Sequence, residues 1–266
     1  MGEGAADTAT RARASGGARR PGDWPRHALA RAACVGILGI AGLVAYNWWL
    51  LVPLRPGLMT SPDELFSNLE VTGQPYASLM QHADLAAGLL LLAAFVLTGP
   101  GRRSSGRWQS GRAEWLSMLG FAAAGAIGGL CPEVCADGIS AACRRLEYHF
   151  QLPPAQYIHM AAGIGEFAAI TIAVFCAEAR TRGSRSRFAR VYRVLARAAF
   201  IAYPLLGAAY LTDRLGGIME ALFFAGFTVV VGTQLAERMS ALRGRRETAK
   251  ESPACCNPVS TRPRPT

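Results

Sequence analysis

The sequence predicts an all-α membrane protein with six transmembrane helices and both termini in the cytoplasm. Apolar residues make up 51% of the 266-residue chain and charged residues only 17%, whereas about a quarter of a water-soluble protein is charged. Of the 28 Lys and Arg residues, 24 lie in four hydrophilic stretches that alternate with poorly basic ones. Because Lys and Arg accumulate in cytoplasmic loops, this alternation places the four stretches in the cytoplasm. They are residues 1–31, 98–114, 179–197 and 237–266.

Six apolar segments are long enough to cross a bilayer, for which a helix needs about 20 residues. The third and fifth are short and need flanking residues to complete the span. The predicted transmembrane domain covers residues 30–236, between a disordered basic N-terminus (1–29) and a disordered cytoplasmic tail (237–266) that contains Cys255 and Cys256. The six segments are residues 32–54, 79–97, 115–130, 157–177, 194–211 and 215–235.

Small residues form a face on two of these segments. In lipid, helices associate by close backbone approach, which small residues permit. We therefore expect both faces to pack inside the bundle rather than to form a dimer interface. Trp48 and Trp49, near the outer end of the first segment, are interpreted as anchors in the membrane interface. The faces consist of Gly36, Gly39 and Gly42 in the first segment and of Gly120, Ala124 and Gly128 in the third.

Two outer loops, residues 53–78 and 131–156, are long enough to fold. In the first loop, Ser61, Pro62 and Glu64 form the pattern of a helix start, with Ser as the N-cap and Glu closing a capping box. The apolar residues that follow predict a short amphipathic helix lying on the mouth of the bundle.

The second outer loop contains three cysteines, Cys131, Cys135 and Cys143. Thiols outside the membrane meet an oxidising environment, which favours a disulfide. The alternative is a zinc site that includes His149, but the spacing matches no common zinc motif. We predict neither a bound metal nor a cofactor.

Ionisable side chains inside the spans are costly and mark candidate functional sites. His159 and Glu166 share one face of the fourth span, and the rise of a helix separates them by about 10 Å. We expect Asp84, His159 and Glu166 to face one another across the second and fourth spans, in a polar pocket open to the outside. The candidates for this pocket are His82, Asp84, His159, Glu166, Glu220 and Asp213.

Several loop residues resemble a known family. They are Glu70, Thr72, Gly73, Gln74 and Pro75 in the first outer loop, Cys135, Cys143 and Glu147 in the second, and His159. With these features the chain resembles the bacterial six-helix membrane proteins grouped as domain-of-unknown-function family nine-nine-eight, which are distantly similar to the eukaryotic Frag/DRAM/Sfk-type membrane proteins. The likeness covers roughly residues 30–236. It implies pairing of Cys135 with Cys143, and it implies a lipid-related role because the eukaryotic relatives are linked to lipid remodelling.

The formal net charge of +10 is dispersed over segments next to the membrane. This distribution favours anionic inner-leaflet lipid as a partner over nucleic acid, which would need one basic stripe. The chain has 27 Arg and one Lys, which by codon usage indicates a GC-rich, actinobacteria-like bacterial genome.

The function predicted from these features is non-enzymatic, located in the plasma membrane and associated with lipid or the cell envelope. The pocket would bind a lipid head group or a small polar ligand. Two alternatives are a metal-dependent intramembrane hydrolase, for which no HExxH or GxSxG motif is present, and an ion-coupled transporter, for which no inverted repeat is visible. The sequence makes no prediction of oligomeric state.

Overall fold

The computed structural model describes residues 24–54, 63–100, 108–136, 140–212 and 214–251, and this part of the chain is helical without a β-strand. Six of its helices, all except the short α4, are long and apolar enough to cross a membrane. The chain is therefore a multi-pass membrane protein, as its hydropathy predicts. The helices are α1 (Trp24–Tyr46), α2 (Ala77–Thr98), α3 (Trp108–Leu130), α4 (Ala141–Tyr148), α5 (Pro154–Thr181), α6 (Arg187–Thr212) and α7 (Gly216–Glu251).

Several helix boundaries differ from the prediction. The first predicted span, 32–54, is divided, because α1 ends at Tyr46 and a 3₁₀ helix follows over Trp48–Leu54. Helix α7 continues to Glu251, well past residue 236. Its added residues are mostly Ala, Glu, Arg, Met and Leu, which are strong helix formers in water as well as in lipid.

The bundle has two distinct ends. The loop end carries α4, the two 3₁₀ helices (Trp48–Leu54 and Ser67–Glu70) and the α6–α7 connection. The basic end carries the last turns of α2 and α5, the first turns of α3 and α6, the start of α1 and the end of α7.

Glycines bring α2 and α3 into backbone contact. A Cβ atom on Gly88 would lie within 3 Å of backbone atoms of Ala126, and one on Gly129 would lie within 3 Å of the backbone nitrogen of Leu85. Neither backbone can move away without separating the helices. This contact was not predicted, since Gly88 and Gly129 lie outside the two small-residue faces.

The two predicted small-residue faces contact neighbouring helices of the bundle, as expected, although Gly120 itself is exposed. In α1, a Cβ atom on Gly39 would meet the side chain of Leu235 in α7, and one on Gly42 would meet a leucine of α2. In α3, a Cβ atom on Gly120 would lie 3.7 Å from that of Ala169 in α5, which is ordinary van der Waals contact.

A small apolar cluster covers the loop end. Phe66 and Leu69 are buried there against Trp48 and Met80, so the described part of the first outer loop, from residue 63 onward, lies on the bundle mouth. The predicted helix start at Ser61 and Pro62 lies outside the described residues, and the helical turn that is observed is the 3₁₀ helix Ser67–Glu70.

Trp48 is not an interfacial anchor. Its side chain is only 8% exposed, because the chain leaves the α-helix after Tyr46 and turns across the bundle as a 3₁₀ helix. The prediction was wrong for Trp48 because it treated residues 32–54 as one continuous helix, whereas the anchor role of half-buried Trp49 stays a prediction.

Ion pairs hold the basic end together. The Arg180 guanidinium donates to Glu114 of α3 at 2.6 and 3.0 Å and to Glu237 of α7 at 2.8 and 2.7 Å. The Tyr192 hydroxyl of α6 donates to Glu237 at 2.7 Å, and Arg238 lies 3.6 Å from Glu114. The Glu114 side chain is 2% exposed, so this basic-end network joins four helices through buried charge.

Candidate ligand cavity at the loop end

A cavity of about 240 Å³ lies at the loop end, enclosed by α1, α2, α3, α5, α7 and the two 3₁₀ helices. Helix α6 does not contribute to it and is the most peripheral of the described spans, with 11% of its span buried. The titratable side chains that line the cavity are Tyr46, Glu70, Asp84, Glu133, His159, Glu166 and Glu220.

Asp84 and Glu70 form a hydrogen-bonded pair of carboxyls on one wall. The Trp48 indole N–H donates to Asp84 at 2.7 Å, and the Glu70 carboxyl hydrogen-bonds Asp84 from the 3₁₀ helix above. Two carboxyls can share a hydrogen bond only if one carries the proton. Burial, and next the charge of Asp84, raise the pKa of Glu70 well above its usual range, so Glu70 is the proton donor of the pair.

His159 connects α5 to the end of α3. Its Nδ1 lies 3.1 Å from the Gly128 carbonyl and 2.9 Å from the Cys131 carbonyl. The last carbonyls of a helix lack partners within the helix, and since carbonyls only accept, Nδ1 must carry a proton. In neutral His159 the other ring nitrogen, Nε2, is then an acceptor available to the cavity.

Glu220 attaches the first outer loop to α7. Its carboxylate accepts hydrogen bonds from the backbone N–H groups of Phe66 and Ser67. These N–H groups lie at the start of the 3₁₀ helix Ser67–Glu70, where backbone donors have no partner within the helix. Glu220 thus fixes the position of the segment that carries Glu70.

Glu166 lies at the deep end of the cavity, about 10 Å along α5 from His159. Within the described chain, no group hydrogen-bonds its carboxyl. A Cβ atom on Gly125 of α3 would lie within 3 Å of Glu166 Oε1. The glycine therefore leaves the space that this carboxyl occupies.

Aromatic rings form much of the remaining wall. Tyr46 packs against Phe121 and Phe224 with ring centroids 5.8 and 5.7 Å apart, and Phe167 lines the cavity beside Glu166. Among the described residues, Tyr46 Oη and Glu70 Oε2 are buried cavity-lining atoms without a hydrogen-bond partner. Such atoms are costly, so the cavity has hydrogen-bonding capacity that the protein itself leaves unused.

Residues 39–236 match a family described as a protein of unknown function, DUF998. The chain belongs to the DUF998 family. No curated protein and no solved structure matches the chain. The matched range extends from the middle of α1 into α7, so the family resemblance predicted from the loop motifs is confirmed. The distant similarity to Frag/DRAM/Sfk-type proteins stays a prediction.

Four of the six predicted pocket residues of this DUF998 protein line the cavity. They are Asp84, His159, Glu166 and Glu220. His82 does not line it, because its ring is exposed and contacts Ser78 one turn earlier in α2. Asp213 lies outside the described residues.

Several cavity residues were not among the predicted pocket candidates. Glu70 belongs to the motif that carries the family resemblance, but nothing in its spacing indicates that the loop folds back over α2. Tyr46 and Trp48 lie within the first predicted span, where Trp48 was interpreted as an interfacial anchor and Tyr46 had no assigned role. The basic-end network was missed because the predicted third span began at residue 115, just after Glu114.

Cys135 and Cys143 form the disulfide implied by the resemblance, with Cα atoms 5.6 Å apart. The alternative zinc site needed the thiols of Cys135 and Cys143 as ligands. Because these two thiols are joined in the disulfide, they are not available to bind zinc. Within the described residues, no three His, Cys, Asp or Glu side chains are grouped as metal ligands. Buried Gln156 holds the loop to α5 by accepting from Val134 N–H at 2.9 Å and donating to the Cys135 carbonyl at 2.9 Å.

Proposed function

We propose that this DUF998 protein is a non-enzymatic ligand-binding protein of the plasma membrane, whose loop-end cavity holds a lipid head group or another small polar ligand. One observation carries the proposal. Ionisable side chains from α2, α5, α7 and the first outer loop, which are costly at membrane depth, come together around one cavity of about 240 Å³.

Unused hydrogen-bonding capacity favours ligand binding over a purely structural cluster. A structural cluster would satisfy its own polar atoms, whereas Tyr46 Oη, Glu70 Oε2 and the Glu166 carboxyl have no hydrogen-bond partner in the described chain. The cavity gives less support to metal-dependent hydrolysis, since no group of three metal-ligand side chains is present among the described residues.

The proposal also places the loop end outside the cell and both termini in the cytoplasm. Two features support this orientation. The described arginines of residues 179–197 lie at the basic end, as expected of a cytoplasmic loop, and the Cys135–Cys143 disulfide lies at the loop end, where an oxidising compartment would form it. A lipid head group would then enter from the outer leaflet.

A substitution of His159 by Asn tests the binding function. Asn can keep a donor near the position of Nδ1, and so keep the bonds to Gly128 and Cys131, but it removes Nε2 from the cavity. We expect wild-type protein extracted in mild detergent to retain a ligand at one copy per chain in native mass spectrometry. The His159→Asn variant should lose that ligand while the ligand-free forms of both proteins melt alike.

The matched control is His149→Asn, because His149 is exposed at the end of α4 and does not line the cavity. It should retain the ligand as the wild type does. Equal ligand retention in the His159→Asn variant, or no retained ligand in the wild type, would contradict the proposal.

A further inference from the structure

The cavity is an acidic one. Glu70, Asp84, Glu166 and Glu220 all line it, and none of the described lining residues is Lys or Arg. The ionised carboxyls among them lower the electrostatic potential at one another, because charges inside a protein are screened less than charges in water. A phosphate or carboxylate ligand would add to this repulsion, whereas a positively charged group would relieve it.

The unused hydrogen-bonding groups are mainly acceptors. The proton of Glu70 is directed to Asp84, which leaves Glu70 Oε2 as an acceptor. The Glu166 carboxyl in its ionised form and the Nε2 atom of neutral His159 would accept from a cation as well. Tyr46 Oη can also accept. A group with several N–H donors and no acceptor matches this set, and an ammonium group is of that kind.

The aromatic walls favour the same chemistry. Tyr46, Trp48, Phe121, Phe167 and Phe224 line the cavity together with the carboxyls. The faces of aromatic rings attract cations, most strongly where water is excluded. A hydrated metal ion would gain little from these rings, whereas an organic cation presents C–H and N–H surface to them.

We infer that the loop-end cavity binds an organic ammonium group, a specificity that rests on the proposed function of the cavity as a ligand site. Its volume of about 240 Å³ is below the roughly 300 to 1,000 Å³ of pockets for drug-sized ligands. The bound group is therefore small, and it is either the head group of an amine-bearing lipid or a free small amine.

The test uses the full chain, stripped of lipid in mild detergent, with two pairs of probes. Phosphatidylethanolamine is compared with phosphatidylglycerol, and ethanolamine with ethylene glycol, so that each pair contrasts an amine with a hydroxyl. In at least one pair, we expect the amine-bearing probe to raise the melting temperature of the protein more than its hydroxyl counterpart does. The same probe should appear as an adduct of the protein in native mass spectrometry. Stabilisation by phosphatidylethanolamine alone identifies a lipid source, and equal stabilisation by ethanolamine identifies a free amine.

Two variants connect the binding to Glu166. Glu166→Gln removes the charge at constant volume and should weaken amine binding by roughly tenfold or more, as expected for the loss of a charge-assisted hydrogen bond. Gly125→Ala keeps the charge but displaces the Glu166 carboxyl, and it should weaken binding as well. The control is Glu178→Gln on the same helix, where Glu178 pairs with Arg182 at the basic end, and it should bind as the wild type does.

Binding of phosphatidylglycerol or ethylene glycol as tightly as their amine counterparts would overturn the inference, as would unchanged amine affinity in Glu166→Gln. Loss of the native ligand in His159→Asn would then still support the proposed function. If no probe shifts the melting temperature and no ligand is retained, both the inference and the proposed function fail.

Discussion

Glu70 shows how a single position acquires its properties from distant parts of the chain. It belongs to a short 3₁₀ helix in the first outer loop and is 5% exposed. Glu220 holds that helix by its backbone, and Asp84 accepts a hydrogen bond from the protonated Glu70 carboxyl. The carboxyl is thus kept neutral by burial and by a neighbouring carboxyl, neither of which is adjacent in sequence.

The raised pKa of Glu70 predicts a pH-dependent stability. The pKa of Glu70 in the folded protein lies above the ordinary value of 4.5. The protonated carboxyl therefore stabilises the fold fully when the pH is below 4.5, and this contribution is lost as the pH rises through the folded-state pKa. Glu70→Gln imitates the protonated carboxyl at every pH. Its melting temperature in detergent should therefore exceed that of the wild type by a margin that grows as pH rises above about 4.5. Melting curves that stay parallel from acidic to neutral pH would refute this account.

Among the elements, α7 has contacts at both ends of the bundle. Near its start, Glu220 holds the first outer loop, and toward the basic end Glu237 and Arg238 belong to the basic-end network. The two acidic residues are about 25 Å apart along the helix axis. The cavity and the ion pairs are therefore positioned by one continuous helix.

The basic-end network should contribute strongly to stability. Arg180→Met would leave Glu114 and Glu237 close together without their shared cation, and removing one partner from a buried ion pair typically costs about 3 to 5 kcal/mol. We expect a large fall in the melting temperature in detergent. Arg182→Met is the control, because the Arg182 side chain is 74% exposed and pairs only along its own helix, and it should melt almost as the wild type does. Equal melting of the two variants would show that the network has no stabilising role.

At the scale of the whole molecule, the orientation in the membrane can be tested directly. Single cysteines at Pro75 and Arg185, both exposed at opposite ends, are introduced into a chain that keeps only the Cys135–Cys143 pair. In intact cells a membrane-impermeant maleimide should label position 75 at once and position 185 only after lysis. Labelling of position 185 in intact cells would reverse the proposed topology.

Much of the bundle follows from sequence because a bilayer imposes local requirements. Each span must be apolar over about 20 residues, and ionisable residues within it must face protein, so six helices and four cavity residues could be predicted. The positions of Tyr46 and Glu70 could not, since they depend on where α1 ends and how a loop folds back. Those outcomes are decided by contacts such as Trp48 with Asp84, 36 residues apart in sequence, which no local pattern encodes.

The backbone contact between α2 and α3 has an evolutionary consequence. At Gly88 and Gly129 a single methyl group would push two helices apart, and both helices supply walls of the cavity. Family members that share this spacing can therefore vary the side chains that line the cavity one at a time, but can replace these glycines only together with compensating changes on the opposite helix. Glycine kept at these two positions would then reflect the distance between the helices, and differences among family members in the chemistry of the cavity should be sought at the acidic and aromatic positions instead.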